Sequence, residues 1–108
     1  MNGNELTVYN KLTSDGNPSG GGVAGIGLSI KWQEGPLGRP PAEPNGSFVD
    51  DVLEAARQRL EFYQDAADRK FACRENALAI TKIEEAMHWL AHRREEREKR
   101  GVQGTHQP

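Results

Sequence analysis

The stretch RENALAITKIEEAMHWLAHRREEREKRG, from Arg74 to Gly101, decides the fold of the C-terminal half of this chain. Its apolar residues recur at intervals of three, four and three, namely Ile80, Ile83, Met87 and Leu90. This spacing predicts a long helix whose apolar seam packs against another helix lying nearly parallel or antiparallel to it. Gly101 is expected to end the helix as its C′ residue. At about 1.5 Å per residue, the helix is roughly 40 Å long.

A shorter helix is predicted just before it. Ser47 is expected to be its N-cap, with Asp50 three residues later in a weak capping box. The apolar positions on one helical face are Phe48, Val49, Val52, Ala56, Leu60 and Tyr63. The sequence DAADRK, residues 65–70, interrupts this pattern. We therefore predict an antiparallel helical hairpin over about residues 47–100, in which the arginine-rich end of the longer helix overhangs and invites another chain.

The N-terminal part has a different composition. Residues 1–46 hold most of the glycines and prolines, whereas residues 47–100 contain neither, which separates an irregular or β-rich front from a helical back. Apolar and small or polar residues alternate in GIGLSIKW, residues 25–32, which predicts a half-buried strand. The best candidate for a second strand is ELTVYNKLT, residues 5–13.

These patterns predict an α+β chain with a short N-terminal β-strand element followed by the two-helix hairpin. We expect a flexible, glycine-rich arm over residues 1–22 and a single domain over residues 23–108. Within that domain, the β element spans about residues 23–38, a linker spans 39–46, the hairpin spans about 47–100 and a tail spans 101–108.

Length and composition bound the function. The chain has 108 residues, of which 35% are hydrophobic, so a lone monomer has a small core and oligomerisation is the expected remedy. A formal net charge of −2 argues against non-specific binding of DNA or RNA polymers. Cys73 is the only cysteine, which leaves no disulfide framework and fits a reducing cytosol. No signal-like core follows Met1 and no apolar run approaches membrane-spanning length, so no membrane association is expected.

Several short motifs of binding or catalytic sites occur in the sequence, but the residues around them do not fit those sites. The sequence GGGVAG, residues 20–25, fits G-x-G-x-x-G, but a dinucleotide fingerprint needs a strand before it and a helix after it. His88 and His92 have the spacing of two zinc ligands on a helix, without the glutamate of HEXXH or a nearby third ligand. The adjacent residues Glu84 and Glu85 point to different sides of a helix. We therefore expect no catalytic residues, no metal and no cofactor.

The arginines offer a different chemistry. Arg93, Arg97 and Arg100 share one face of the second helix, and guanidinium groups bind phosphate oxygens through paired hydrogen bonds. The alternative is a solvated end, because three glutamates are interleaved there and basic residues favour a helix C-terminus. Beyond this end, Thr105 and His106 add hydrogen-bond donors. Aromatic side chains either stack on a nucleotide base or pack in the core; the candidates are Phe62, Tyr63 and Trp89.

Two longer stretches resemble one family. These are PNGSFVDDVLEAARQRLEFYQ, residues 44–64, and KFACRENALAITKIEEAMHWLAHRREEREKRGVQGTHQP, residues 70–108. They resemble the helical-hairpin family of phage nucleotide sponges, which includes the anti-CBASS cyclic-nucleotide sponge and the first Thoeris anti-defence sponge. The resemblance covers about residues 45–106. The segment IGLSIKWQEGPLG, residues 26–38, resembles the β element of the Thoeris-type branch.

The resemblance implies a function without catalysis. Members of the family bind bacterial immune signalling nucleotides, either glycocyclic ADP-ribose of Thoeris or cyclic oligonucleotides of CBASS, and hold them without cleaving them. They assemble as dimers or hexamers with ligand pockets between subunits, and they act in the cytoplasm of the host bacterium. Two rival classes stay open: a helical-hairpin interaction protein that binds no nucleotide, and an enzyme that degrades the signal.

The resemblance also implies roles for particular residues. Asn76 of FACREN would contact the nucleotide, and Arg93 and Arg97 would hold phosphates together with Arg100. Phe62 or Tyr63 would stack on adenine. The remaining carried-over residues are Arg39, which follows GPLG, and Thr105 and His106, which would line a pocket or its rim.

Overall fold

The computed structural model describes residues 5–35, 43–102 and 105–107. Three strands precede two helices, in the order β1 (Thr7–Leu12), β2 (Pro18–Gly25), β3 (Leu28–Lys31), α1 (Val49–Arg69) and α2 (Arg74–Lys99). The predicted α+β class is therefore confirmed. The chain divides into two compact units: residues 49–99 form one, and residues 1–48 together with 100–108 form the other. None of the helices in the described residues is long and apolar enough to cross a membrane.

The strands form an antiparallel sheet in the order β1-β2-β3. The predicted second strand within residues 5–13 is confirmed as β1. The expectation of a flexible arm over residues 1–22 is wrong for residues 7–12, which form β1, and for residues 18–22, which belong to the central strand β2. The cause is the sequence of β2, PSGGGVAG, which reads as a linker because glycine carries no side chain that favours a strand.

Close backbone packing explains the glycines in β2. A Cβ atom on Gly21 would clash with the carbonyl oxygen of Tyr9 in β1, and Gly21 has a φ of +131°. A Cβ atom on Gly22 would lie 2.8 Å from the carbonyl oxygen of Ile30 in β3. Both glycines are buried. The central strand therefore needs glycine where its two neighbours approach it closely.

The alternating strand predicted over residues 25–32 is partly wrong. Ile26 and Gly27 form the turn between β2 and β3, with a φ of +73° at Gly27, and Ile26 is 85% exposed. Glycine on both sides of Ile26 allows the chain to reverse there, so its apolar side chain does not extend the strand pattern. The strand proper begins at Leu28.

Backbone hydrogen bonds tie the segment before α1 to the end of β3. The N–H of Ser47 donates to the carbonyl of Lys31 at 2.7 Å, and the N–H of Gln33 donates to the carbonyl of Ser47 at 2.9 Å. Trp32 and Ser47 thus form a parallel bridge. Because α1 begins only at Val49, Ser47 lies before the N-cap position, and this corrects its predicted capping role.

The turn between the helices is fixed by one glutamine. Gln64, only 8% exposed, donates from Nε2 to the carbonyl of Cys73 at 3.1 Å and accepts the Cys73 N–H at 2.9 Å. Helical geometry is lost at Ala66, with a ψ of 151°, and Ala67 and Asp68 take φ values of 51° and 54°. The predicted break at DAADRK is confirmed.

The other end of the hairpin is joined by an ion pair. Arg94 of α2 binds Asp50 of α1, with 2.5 Å between Nη1 and Oδ2. Helix α2 continues five residues past Arg94 to Lys99, about 7.5 Å, so the predicted overhang is little more than one turn. Gly101 follows with a φ of +73°, which confirms its predicted C′ role.

The apolar seam of α2 is as predicted. Ile80 is buried at 8% exposure, and Ile83, Met87 and Leu90 are half-buried. The face of α1 is rotated relative to the prediction. Val49, Ala56 and Tyr63 are exposed, and the half-buried or buried positions include Leu53, Arg57, Leu60 and Gln64. Burial of these two polar side chains is tolerated because each is hydrogen-bonded, Arg57 to Glu54 within α1 and Gln64 to the backbone of Cys73.

Candidate functional site

The arginine end is defined here as Asp50 together with residues 93–99. Arg93 and Arg97 lie one turn apart on α2, Arg93 exposed and Arg97 half-buried. Arg94, between them, is occupied by its ion pair with Asp50. Arg100 is the first residue after the helix and lies in a turn, so its predicted place on the helical face is not observed. The helix itself therefore aligns two arginines, not three.

Thr105 and His106 lie in the tail, where both are exposed. The Thr105 hydroxyl donates to the carbonyl of Val102 at 2.5 Å and accepts the N–H of Gln107 at 3.2 Å. The hydroxyl of Thr105 thus shapes a local turn of the tail.

The tail lies within electrostatic reach of the turn between β1 and β2. The Asp15 carboxylate in that turn has a pKa below its usual value, chiefly because the Thr13 hydroxyl donates to it, then because of its own backbone N–H. His106 makes a smaller contribution in the same direction. An electrostatic interaction thus links His106 in the tail to Asp15, which lies about ninety positions earlier in the chain.

The turn end is defined here as residues 59–76. Phe62 and Tyr63 are 54% and 39% exposed, and their rings meet edge to face with centroids 5.9 Å apart and planes at 67°. The guanidinium of Arg59 lies 5.0 Å from the Phe62 centroid and 4.8 Å from the Tyr63 centroid. Neither aromatic ring is buried in a core, so the alternative of core packing does not apply to them.

Asn76 belongs to the turn end as well. It is the third residue of α2, half-buried, and its backbone N–H donates to Cys73 Sγ at 3.4 Å. Because Gln64 holds the backbone of Cys73, the start of α2 is fixed beside the end of α1. Asn76 and the aromatic pair are therefore at the same end of the hairpin.

The two ends are too far apart to share one pocket within a single hairpin. Asn76 and Arg93 are separated by about 26 Å along α2 at about 1.5 Å per residue. A ligand pocket of about 300–1,000 Å³ is only about 7–10 Å across. The structure thus divides the site residues carried over to the hairpin into two groups, Arg93 with Arg97 and Asn76 with Phe62 and Tyr63.

Other charged and metal-ligating groups serve local contacts. Arg57 donates to Glu54 at 2.8 and 2.7 Å, and this hydrogen bond is the main reason why the Glu54 pKa falls to about 2. The rings of His88 and His92 each lie 5.8 Å from Trp89, edge to face. Among residues 5–35, 43–102 and 105–107, no cluster of three or more His, Cys, Asp or Glu side chains is arranged to hold a metal ion. Arg39 lies outside the described residues.

Sequence reasoning missed one residue of the turn end. Arg59 precedes Phe62 by three positions and Tyr63 by four, the spacing at which side chains meet on a helix. Attention to cation–aromatic pairs at this spacing would have found it.

Comparison with known proteins places the chain in a family. Residues 27–95 match the family described as Acb2/Tad1, hairpin domain, which takes in β3, α1 and most of α2. The chain is also 44% identical over 84 residues to the protein named Thoeris anti-defense 1 from Bacillus phage SBSphiJ7. That alignment covers 78% of this chain and 56% of the relative, so the chain spans little more than half the relative's length. With about two thirds of its residues matched by the family, this chain belongs to the Acb2/Tad1 hairpin-domain family.

Proposed function

We propose that this protein is a phage anti-defence protein that binds bacterial immune signalling nucleotides and sequesters them without cleaving them. The observation that carries the proposal is the 44% identity to Thoeris anti-defense 1 within a shared hairpin-domain family. The ligand class is glycocyclic ADP-ribose of Thoeris, cyclic oligonucleotides of CBASS, or both. The protein acts in the host cytoplasm, where these signals are made.

The arginine end supplies the phosphate chemistry. Arg93 and Arg97 stand one turn apart on α2, a spacing at which two side chains reach the same anionic ligand. Guanidinium stays charged at all physiological pH values and matches phosphate oxygens with paired hydrogen bonds. A signal with two phosphates suits two such groups.

The separation of the two ends supports a pocket shared between copies of the chain. Since Asn76 and Arg93 are about 26 Å apart in one hairpin, the arginine end of one copy must meet the turn end of another to build one pocket. A two-fold dimer forms two such pockets, because each copy offers both ends to its partner. Dimers of this kind, or hexamers built from them, are the proposed assembly.

Exposed apolar side chains on the hairpin also support assembly. Burial between copies of the chain would remove these side chains from water. The large exposed apolar residues of the hairpin are Val49, Phe62, Tyr63, Phe71, Leu78 and Trp89.

The test is a capture experiment on the full chain. Purified protein is incubated with glycocyclic ADP-ribose isomers, cyclic dinucleotides and cyclic trinucleotides, and the filtrate is analysed before and after heat denaturation. We expect one signal to vanish from the filtrate and to return unchanged on heating. If the released nucleotide is chemically altered, the protein is an enzyme. If all of the nucleotide is found in the filtrate before heating, the protein binds none of the signals, and the alternative of an interaction protein is favoured.

The arginine assignment has its own variant. Replacing Arg97 with alanine removes a charge-assisted hydrogen bond to phosphate, and we expect nucleotide affinity to fall about 10- to 100-fold. Lys82→Ala is the matched control, because Lys82 is an exposed cation on the same helix, 75% accessible, with only a 3.7 Å pair to Glu85. Equal affinity of Arg97→Ala and wild type, measured by calorimetry, would contradict the phosphate role.

A further inference from the structure

Arg59 forms a combined cationic and aromatic surface with Phe62 and Tyr63. Its guanidinium carbon is about equally far from both ring centroids, at 5.0 and 4.8 Å, and its Nη2 donates to the Tyr63 hydroxyl at 3.2 Å. A guanidinium is attracted electrostatically to the face of an aromatic ring at such distances. These contacts therefore hold the guanidinium and both rings in one arrangement on the outer side of α1.

The neighbouring Arg57 shows what Arg59 lacks. Arg57 binds Glu54 through two nitrogens and lies 3.6 Å from Glu61, so its charge is balanced within α1. Arg59 has no ion-pair partner in the part of the chain that the structure describes. Two arginines only two positions apart on α1 thus differ: one is neutralised, and the other keeps a free positive charge beside two exposed rings.

The hydrogen-bonding capacity of Arg59 is also largely unused. A guanidinium carries five N–H donors. Among the described residues, the Tyr63 hydroxyl is the only hydrogen-bond acceptor that Arg59 contacts. The remaining donors are the groups that bind phosphate oxygens in other proteins.

We infer that Arg59 is a ligand-binding residue of the turn end, which binds a phosphate of a purine nucleotide whose base stacks on the Phe62–Tyr63 pair. The inference rests on the proposed function and deepens it, because it makes the turn end a second anion-binding element besides the arginine end. Stacking on an aromatic ring contributes similar energy for any base, so the charge at Arg59 is what restricts this surface to bases that carry phosphate.

The experiment compares Arg59→Gln, Arg59→Lys and Lys82→Gln with wild type. Lys82→Gln removes one exposed positive charge from α2, which pairs with Glu85 on its own helix, and controls for the general field of the protein. The probes are glycocyclic ADP-ribose and 3′,3′-cyclic GMP-AMP, with adenosine as a probe without phosphate. Affinity is measured between low and high salt, and oligomeric mass is measured alongside.

We expect Arg59→Gln to lower the affinity for the captured nucleotide about 10- to 100-fold. The affinity of this variant should also depend less on salt concentration, because the charge that salt would screen has been removed. Arg59→Lys keeps the charge without the planar fork and should recover part of the affinity. Lys82→Gln should match wild type, and any adenosine affinity should be the same in all variants.

The outcomes separate the inference from the function on which it rests. If wild type captures none of the signals in the capture panel, including cyclic trinucleotides, the proposed function fails and the inference fails with it. If wild type captures a nucleotide and the affinity of Arg59→Gln for it is within twofold of the wild-type affinity, the proposed function stands and the inference is overturned. The inference is also overturned if Lys82→Gln weakens binding equally, or if Arg59→Gln loses affinity only by dissociating the oligomer.

Discussion

The two ends of the hairpin are held by different interactions. At the turn end, the buried side-chain amide of Gln64 makes two uncharged hydrogen bonds to the backbone of Cys73. At the arginine end, helices α1 and α2 are joined by the ion pair of Asp50 and Arg94, whose side chains are 30% and 52% exposed. The first contact is protected from salt and the second is open to it. The comparison teaches that Phe62 and Tyr63 lie at the end held by buried hydrogen bonds. Arg93 and Arg97 lie at the end held by a salt-sensitive ion pair.

The sharpest test of the comparison is subunit complementation, which carries the largest expected effect. Arg97→Ala disables the arginine end and Phe62→Ala disables the turn end, so each variant alone should capture little nucleotide at concentrations near the wild-type dissociation constant. If each pocket takes one end from each of two copies, a mixed dimer carries one intact pocket and one doubly defective pocket. Random mixing of the two variants should therefore restore about a quarter of wild-type capture.

The control for complementation uses the double variant Arg97→Ala with Phe62→Ala, mixed with wild type at the same ratio. In this mixture, each pocket of a mixed dimer has one intact end and one substituted end. Nucleotide capture by the mixture should therefore equal the capture by the wild-type dimers that it still contains. The two variants are unfolded and refolded together before capture is measured. If the mixture captures no more nucleotide than the two variants do separately, the pocket is not built from the two ends of different copies.

Gln64→Ala tests the firmness of the turn end. It removes both hydrogen bonds to Cys73 and leaves a gap at a buried position, so the free energy of unfolding should fall by about 1–3 kcal/mol. Gln58→Ala is the matched control on the same helix, because Gln58 is exposed and makes one side-chain contact of 3.2 Å to Glu54. Denaturant unfolding followed by circular dichroism measures both. Equal loss in the two variants would contradict the role given to Gln64.

The Asp50–Arg94 pair carries the smallest expected effect. A double-mutant cycle with Asp50→Asn and Arg94→Gln should give a coupling free energy of about 0.2–1 kcal/mol, because partly exposed ion pairs lose most of their attraction to solvent. The coupling should shrink at 1 M salt, where screening acts within about 3 Å. A coupling that does not change with salt would mean that the arginine end is held as firmly as the turn end.

Much of the hairpin was predictable from sequence, because its signals are local. The spacing of Ile80, Ile83, Met87 and Leu90 gave the seam of α2, and DAADRK and Gly101 marked the helix ends. Each signal works over a few residues, through helical periodicity or through backbone freedom. The sheet was harder: Gly21 and Gly22 looked like a linker until the nearness of β1 and β3 explained them.

The candidate site was predictable in its residue types but not in its grouping. The resemblance pointed to arginines on α2 and aromatic residues on α1, yet it said nothing of Arg59 or of the distance between the two groups. Spacing along the helix already separates Arg57 from Arg59 in the sequence: Arg57 stands three residues after Glu54 and four before Glu61, whereas Arg59 stands three and four residues before Phe62 and Tyr63. The helical geometry decides that Arg57 meets Glu54 and Glu61, whereas Arg59 meets Phe62 and Tyr63.

The sequence by itself determined the helical back half, the break and end of its helices, the α+β class and the resemblance to one family, because these follow from periodicity, propensity and local motifs. Only the tertiary structure decided which face of α1 is buried, that a glycine-rich segment is the central strand, and that the proposed site residues of the hairpin lie at its opposite ends. The physical reason is that these properties depend on contacts between segments distant in the chain, such as Gln64 with Cys73 and Asp50 with Arg94. No local pattern of residues encodes such contacts, since they arise only when whole elements pack.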